Sequence, residues 1–209
     1  MFLSRIEPES VHQFLVRGSD PDTPDGFDVH VAACIIALAV AEASSARLPL
    51  SATTGLDPAD LAGVIEACFP HAAYLTADQP VVRGADEECL LDLLTQCASE
   101  KSVFQTRLAA MIARRAQSPN HLWQDLGLRN RGELSRLMGR HFRPLAARNT
   151  NDMKWKKFLY RMICRDAGYS LCTAPSCSEC CDFEHCFGDE TGESRLARVR
   201  LAGEIGAAG

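Results

Sequence analysis

Apolar residues recur at helical spacing along most of the chain. The run DVHVAACIIALAVAEA, residues 28–43, is apolar almost all round, which predicts a central buried helix. In the other apolar segments the large side chains return every three or four residues, as on one face of a helix. No stretch alternates apolar and polar residues long enough to predict a strand. The pattern predicts an all-α fold, a helical bundle-like single domain.

Local signals predict where some of these helices begin and end. Asp57 is a good N-cap, with Pro58 at the first helical position. Pro144 is expected to end a helix, and Thr150 or Asn151 to cap the last one. The predicted buried positions of four segments are Leu61, Ile65, Cys68 and Phe69; Cys89, Leu90, Leu93, Leu94 and Cys97; Phe104, Leu108, Met111 and Ile112; and Leu134, Leu137 and Met138. Those of the last helix are Trp155, Phe158, Leu159, Met162 and Ile163.

After residue 168 the character of the sequence changes, because five cysteines fall within residues 172–186. The spacing is Cys172-x4-Cys177-x2-Cys180-x5-Cys186, with Cys181 inside the last gap. Four thiolates suit either a tetrahedral zinc ion or an iron–sulfur cluster, and the spacing leaves both open. Crowding into so short a segment favours a centre with several metal atoms. Adjacent side chains point apart, so Cys180 and Cys181 are not expected to bind one small centre together. The spacing to Cys177 favours Cys180 as the ligand, with Cys181 as the substitute.

These patterns divide the chain into three parts. Residues 1–168 are predicted to form the helical domain, and residues 169–188 a cysteine-rich, cluster-binding loop. Residues 189–209 are rich in small and charged types and are expected to form a mobile tail. The loop has little apolar content of its own, so we expect a bound metal to order it.

Charge is distributed unevenly along the chain, whose net charge is -5. Residues 1–100 hold 16 acidic and 4 basic side chains, whereas residues 129–165 hold 11 basic and 2 acidic ones. The helix that leads into the loop carries Lys154, Lys156, Lys157 and Arg161. These residues could bind an anion or dock an acidic partner, and a solvated helix face explains them equally well.

The beginning of the chain has no basic segment followed by an apolar run, so no secretory signal is evident. The longest apolar run, residues 31–41, is shorter than the roughly 20 residues that span a bilayer. We therefore expect a cytoplasmic protein with reduced thiols and no membrane partner.

The remaining cysteines and histidines are interpreted as structural. Unpaired cysteine is among the most buried residue types, which predicts core positions for Cys34, Cys68, Cys89 and Cys97. Three histidines within helical patterns are expected to pack or cap rather than to bind metal, namely His30, His121 and His141.

The cysteine spacing, together with the preceding segment NTNDMKWKKFLYRMIC, resembles the NifQ family of nitrogen-fixation proteins. The segments DVHVAACIIALAVAEA and HLWQDLGLRNRGELSRLMGRHFRPLAARNTNDMKWKKFLYR also resemble that family. The resemblance covers roughly residues 28 to 188 and is dense over 121–187. Cys181 departs from the bare cysteine pattern.

The resemblance implies a molybdenum carrier rather than an enzyme. NifQ-like proteins hold an iron–sulfur cluster, of the 3Fe-4S or Mo-3Fe-4S type, and donate molybdenum for synthesis of the nitrogenase iron–molybdenum cofactor. By carry-over, Cys172, Cys177, Cys180 and Cys186 are the expected cluster ligands. The implied partners are the cofactor scaffold complex, the nitrogenase iron protein, and molybdate or a molybdenum–sulfur species.

Three other functions compete with this one. The segment LWQDLGLRNRGELSRLMGRHF has the helix–glycine–helix form of a DNA-binding motif, which suggests a metal-sensing regulator. The acidic net charge argues against nucleic acid as a partner. A zinc-stapled adaptor and a redox enzyme that uses Cys177 and Cys180 are the others, although a redox pair leaves the flanking thiols unexplained. No catalytic triad or carboxylate pair stands out.

Overall fold

A computed structural model describes residues 6–18, 24–166 and residue 190 of the 209-residue chain. Within that part the secondary structure is helical, with no strand, which confirms the predicted all-α single domain. The α-helices are α1 (Pro8–Leu15), α2 (Pro24–Ala46), α3 (Leu50–Thr54), α4 (Pro58–Cys68), α5 (Ala85–Gln96), α6 (Val103–Arg115), α7 (Leu122–Asp125), α8 (Arg131–His141), α9 (Arg143–Arg148) and α10 (Trp155–Asp166). One turn of 3-10 helix, Pro70–Ala72, follows α4.

Helix α2 lies at the centre of the fold, as the sequence predicted. Residues 31–39 are all buried, and α1, α3 and α4 pack around the helix. By length and apolar composition alone, Asp25–Ala46 could cross a membrane, but 56% of its most apolar window is buried inside the protein. Burial against neighbouring helices accounts for this composition, because a helix that is apolar on all sides needs cover on all sides.

The outer helices bury the faces that their periodicity predicted. Helix α5 packs on α6 and α10, and α8 packs on α7 and α9. The buried side chains of these helices include Leu90, Leu93 and Leu94; Leu108, Met111 and Ile112; Leu134, Leu137 and Met138; and Trp155, Phe158, Leu159 and Met162. Together with α2 they form one continuous apolar core.

The cysteine positions differ from one another in burial. Cys34 is fully buried as predicted, and Cys68 and Cys97 are partly buried. Cys89 is exposed, so its predicted core position is wrong. It directly precedes the buried Leu90, and successive helical residues are about 100° apart, which turns Cys89 away from the core.

Two predicted helix boundaries need correction. Pro144 lies in the first turn of α9 rather than ending a helix, which is a favourable position for proline because the first backbone N–H groups have no helical partner. Helix α10 begins at Trp155 and is capped by neither Thr150 nor Asn151. The preceding turn is closed by Asn149, whose side chain accepts a hydrogen bond from the Met153 N–H and donates one to the Met153 carbonyl, both at 2.9 Å.

Helix α4 begins where the sequence predicted, but Asp57 does not cap it with its side chain. Asp57 directly precedes Pro58 and the helix, yet its carboxylate makes no capping hydrogen bond. Its Oδ1 instead accepts a hydrogen bond from the Val81 N–H at 2.8 Å. The residue therefore ties the loop before α5 to the start of α4.

Candidate metal centre

The five loop cysteines, Cys172, Cys177, Cys180, Cys181 and Cys186, lie outside the described residues, as do residues 169–189 and 191–209 of the predicted loop and tail. The structure describes the two ends of the chain that border the loop. One end is α10, which runs to Asp166, and the other is Glu190. Helix α10 and Glu190 are therefore the described neighbours of the candidate centre along the chain.

Helix α10 is fixed to the domain by one apolar face. Trp155, Phe158, Leu159 and Met162 are buried at the i, i+3, i+4 and i+7 positions, and the helix packs on α5. The Trp155 and Phe158 rings meet edge to face, with their centroids 5.7 Å apart. Helix α10, the last described element before the cysteines, is therefore held to the domain from Trp155 to Met162.

After the cysteine motif in sequence, Glu190 lies against the domain. Its carboxylate lies 2.6 Å from a guanidinium nitrogen of Arg131 and 3.4 Å from Nδ1 of His121, and its side chain is only 3% exposed. Arg131 begins α8 and His121 is the N-cap residue of α7, so Glu190 meets the junction of these two helices. Sequence reasoning missed this contact, because nothing in the sequence pairs a tail glutamate with residues more than fifty positions away.

The four basic residues predicted to bind an anion or a partner have different surroundings. Lys157 and Arg161 are exposed one turn apart on α10, and Lys154 is partly exposed. Lys156 instead contacts the carboxylate of Asp125, which is fully buried, and the carbonyl of Ser118. The Lys156 contacts give that residue a structural role, since a buried carboxylate needs a partner.

The arginines of α8 contact groups of this same chain. Arg140 makes two hydrogen bonds of 3.0 Å with Asp28, Arg131 binds Asp152 at 2.7 Å, and the Arg136 guanidinium lies 3.9 Å from the Phe27 ring centroid. A recognition helix needs its basic side chains directed at the nucleic acid. These contacts therefore argue against α8 as a DNA-reading helix.

His141 has the packing role that the sequence predicted. It is buried, and its Nε2 lies 2.8 Å from Oδ1 of Asp28. Burial alone would raise the pKa of Asp28, but hydrogen bonds from His141 and Arg140 outweigh it and hold that pKa below its ordinary value. The result is an ion-pair cluster that joins α8 to the start of α2.

A second group of side chains of types that can bind metal lies between α1 and α2, where the sequence predicted only packing. Nε2 of His12 is 3.1 Å from Nδ1 of His30, and the Cys34 thiol lies over the His30 ring, 3.6 Å from Nε2 and 3.8 Å from Nδ1. Burial, reinforced by His30, lowers the pKa of His12 to about 4. The i, i+4 spacing of His30 and Cys34 was a visible signal, but the contribution of His12 depends on how α1 packs.

The comparisons with known proteins agree on one family. The NifQ family model matches residues 31–188, a span that includes all five loop cysteines. A NifQ homolog of Sinorhizobium fredii is 40% identical over 182 residues, covering 85% of this chain and 79% of the relative. The NifQ protein of Rhodobacter capsulatus is 39% identical over 158 residues, with 75% and 87% covered.

A third relative, the NifQ protein of Azotobacter vinelandii, is 41% identical over 151 residues, which cover 65% of this chain and 77% of the relative. No solved structure matches the chain. NifQ proteins are involved in nitrogen fixation. The family match over most of the chain and the identities near 40% lead to one conclusion: this chain belongs to the NifQ family.

Proposed function

We propose that this protein carries molybdenum on an iron–sulfur cluster and donates it to the assembly of the nitrogenase iron–molybdenum cofactor. The observation that carries the proposal is the family match over residues 31–188, which contains the complete cysteine motif. The cluster would be of the 3Fe-4S or Mo-3Fe-4S type, with molybdenum as the cargo.

The donor set suits such a cluster. Cys172, Cys177, Cys180 and Cys186 would be the ligands, with Cys181 as the substitute for Cys180. Thiolates are the usual protein ligands of iron–sulfur clusters, and soft sulfur donors retain thiophilic metals. When bound, the cluster supplies sulfide ligands for molybdenum. The protein supplies the thiolates and holds the segment that carries them.

Contacts on both sides of the cysteine segment would help the protein to hold it. Before the cysteines, the buried face of α10 fixes the point from which the chain departs. After them, Glu190 is held by Arg131 and His121. Fixing both ends lowers the conformational entropy that the cysteine segment loses when it closes around a metal centre.

The basic residues of α10 contribute charge. Lys157 and Arg161 are exposed and four residues apart, so they lie on the same side of the helix that leads to the cysteines. They would attract molybdate or a thiomolybdate anion, or dock an acidic surface of the scaffold complex or the nitrogenase iron protein. Such a carrier works in the cytoplasm and needs no catalytic turnover.

The test is metal and sulfide analysis, with EPR spectroscopy, of the protein purified without oxygen from molybdate-fed cells. We expect iron, acid-labile sulfide and molybdenum, all lost in Cys177→Ala and Cys186→Ala. Cys89→Ala is the matched control, because Cys89 is an exposed cysteine outside the loop, and this variant should keep the full metal content.

Zinc as the sole metal under strictly anaerobic handling would contradict the proposal. It would make the loop a structural zinc site, as in an adaptor protein. The DNA-binding alternative has a separate test, namely salt-dependent binding to duplex DNA. The intramolecular contacts of Arg131, Arg136 and Arg140 lead us to expect no such binding even at low salt.

A further inference from the structure

We infer that His12, His30 and Cys34 form a second metal site, separate from the cysteine loop, that binds a divalent transition-metal ion of the zinc class. The inference does not depend on the molybdenum-carrier proposal. It rests on the positions of three donor atoms and one neighbouring carboxylate, all within the described residues.

The donor atoms converge from two helices. His30 and Cys34 are one turn apart on α2, and His12 reaches them from α1. One ligating atom from each residue can be chosen such that all three lie within 4.8 Å of one another. His30 and Cys34 are buried and His12 is partly buried, so the group is screened from bulk water.

The spacing matches the edges of a metal tetrahedron. With ordinary zinc–nitrogen and zinc–sulfur bond lengths, two nitrogens are separated by about 3.3 Å, and a nitrogen and a sulfur by about 3.6 Å. The corresponding distances here are 3.1 Å from His12 Nε2 to His30 Nδ1 and 3.8 Å from His30 Nδ1 to Cys34 Sγ. Sγ also lies 3.6 Å from Nε2 of His30, so it stands over the ring, and a rotation of the Cys34 side chain would bring the thiolate to a metal bound at Nδ1.

The other nitrogen of His30 is placed as in many histidine–metal sites. Its Nε2 lies 3.4 Å from Oε2 of Glu133, which also accepts a hydrogen bond from the Arg129 N–H at 2.8 Å. A carboxylate that accepts the Nε2 proton of a histidine leaves Nδ1 as a lone-pair donor and raises its basicity. Glu133 is therefore a positioning residue, which selects the tautomer of His30 that can bind metal.

A hydrogen bond between the two imidazoles explains only part of this arrangement. It accounts for the 3.1 Å contact, but not for a thiol within 3.8 Å of both nitrogens of His30 or for a carboxylate behind the ring. Two nitrogens and one thiolate are ligands that zinc, cobalt(II) and iron(II) accept, and three protein ligands leave one position for water. A bound ion would add a further link between α1, whose fully buried residues are Pro8 and Leu15, and α2.

The test uses the full chain with Cys172, Cys177, Cys180, Cys181 and Cys186 all changed to serine, so that the loop offers no thiolate. After chelator treatment, this protein is titrated with Co²⁺, whose thiolate charge-transfer absorption reports Cys34. We expect one equivalent to bind with that absorption and Zn²⁺ to displace it. Failure of the loop to carry molybdenum would leave this result unchanged.

Variants made in the same background separate a metal site from a packing cluster. His12→Ala should abolish tight binding, and Glu133→Gln should weaken it about 10- to 100-fold while keeping the absorption. Cys68→Ser, at a partly buried cysteine outside the group, should bind as the parent does. Zn²⁺ should raise the melting temperature of the parent but not of His12→Ala.

Because His12 lies on a short outer helix, we expect His12→Ala to fold. Circular dichroism verifies this independently of metal binding. The inference is overturned if the parent binds no Co²⁺, if binding lacks the thiolate absorption, or if folded His12→Ala binds as tightly as the parent.

Discussion

Arg131 and Glu190 form an ion pair, with 2.6 Å between a guanidinium nitrogen and the carboxylate, although 59 positions separate them in the sequence. Glu190 comes four residues after Cys186, so this pair ties the chain beyond the cysteine motif to the start of α8. The same arginine binds Asp152, just before α10. One side chain therefore links both chain segments that border the candidate metal centre.

Arg131→Ala should destabilise the protein by about 2–4 kcal/mol, because it leaves the carboxylate of Glu190 buried with His121 as its one remaining partner among the contacts described. Glu190→Ala removes that charge, so the double variant should lose clearly less than the sum of the single losses. Urea unfolding of the four proteins measures the coupling. Strict additivity would mean that the pair contributes nothing.

Lys156 and Lys157 are adjacent but should respond differently to substitution. Lys156→Met should cost about 3–5 kcal/mol of stability, because it removes a partner from the fully buried Asp125. Lys157→Met changes an exposed residue and should alter stability by less than about 0.5 kcal/mol.

The two variants should show the opposite order of effects on molybdenum loading. Under the proposed function, Lys157→Met should reduce the molybdenum loaded per iron, and it should do so more strongly at low ionic strength. Folded Lys156→Met should load normally. Equal loading by Lys157→Met and the parent at all salt concentrations would show that Lys157 takes no part in binding the anion.

The cysteines outside the loop should differ in reactivity toward iodoacetamide. Among the four whose surroundings the structure describes, exposed Cys89 should be alkylated first, and buried Cys34 last. Burial, with a smaller contribution from the charge of Asp28, raises the pKa of Cys68 to about 11. Its alkylation rate should therefore still be rising between pH 9 and 11, as followed by peptide mass spectrometry. A plateau near pH 9 would contradict this environment.

The same shift has a consequence for stability. Because the unfolded chain loses the Cys68 proton near the ordinary value of 9 and the folded protein holds it to about 11, stability should fall as pH rises through that window. Cys68→Ala should lessen this decline in alkaline unfolding experiments.

Gly127 and Gly139 form a matched pair for alanine substitution. Gly127 has a φ of +74°, and an added Cβ would lie 3.0 Å from the Cys34 carbonyl oxygen and 3.1 Å from Leu38. Gly127→Ala should therefore destabilise by at least about 1–2 kcal/mol. Gly139 lies within α8 with nothing near its Cβ position, so Gly139→Ala should stabilise by about 0.5–1 kcal/mol. Thermal unfolding compares the two, and equal effects would contradict the assigned conformation.

The helical fold was predictable because it depends on periodicity. The all-round apolar character of residues 28–43 and the stripe from Trp155 to Met162 each predicted the buried face that the structure has. The prediction for Cys89 was wrong because this residue lies at the edge of an apolar stripe. There, a step of one residue along the helix is enough to move a side chain from the core to solvent. The boundaries near Pro144 and Asn149 depended on turn contacts that no periodicity encodes.

The surroundings of the candidate site were less predictable for a different reason. The cysteine spacing is a local pattern and could be recognised directly, whereas Glu190 with Arg131 and His12 with His30 are contacts between distant segments. Lys156 and Lys157 show the same limit within one helix. Both are lysines in a basic run, and only the position of buried Asp125 distinguishes the one with a structural role.

The most direct test of the account is molybdenum transfer. The protein is loaded with isotopically labelled molybdenum under anaerobic conditions and mixed with the nitrogenase cofactor scaffold complex and the nitrogenase iron protein, and the label is then followed through re-separation. The account predicts that the label moves to the scaffold complex, and that Cys177→Ala and Cys186→Ala deliver none. Label that stays on the carrier, or that reaches the scaffold equally well from the cysteine variants, would contradict the donor function.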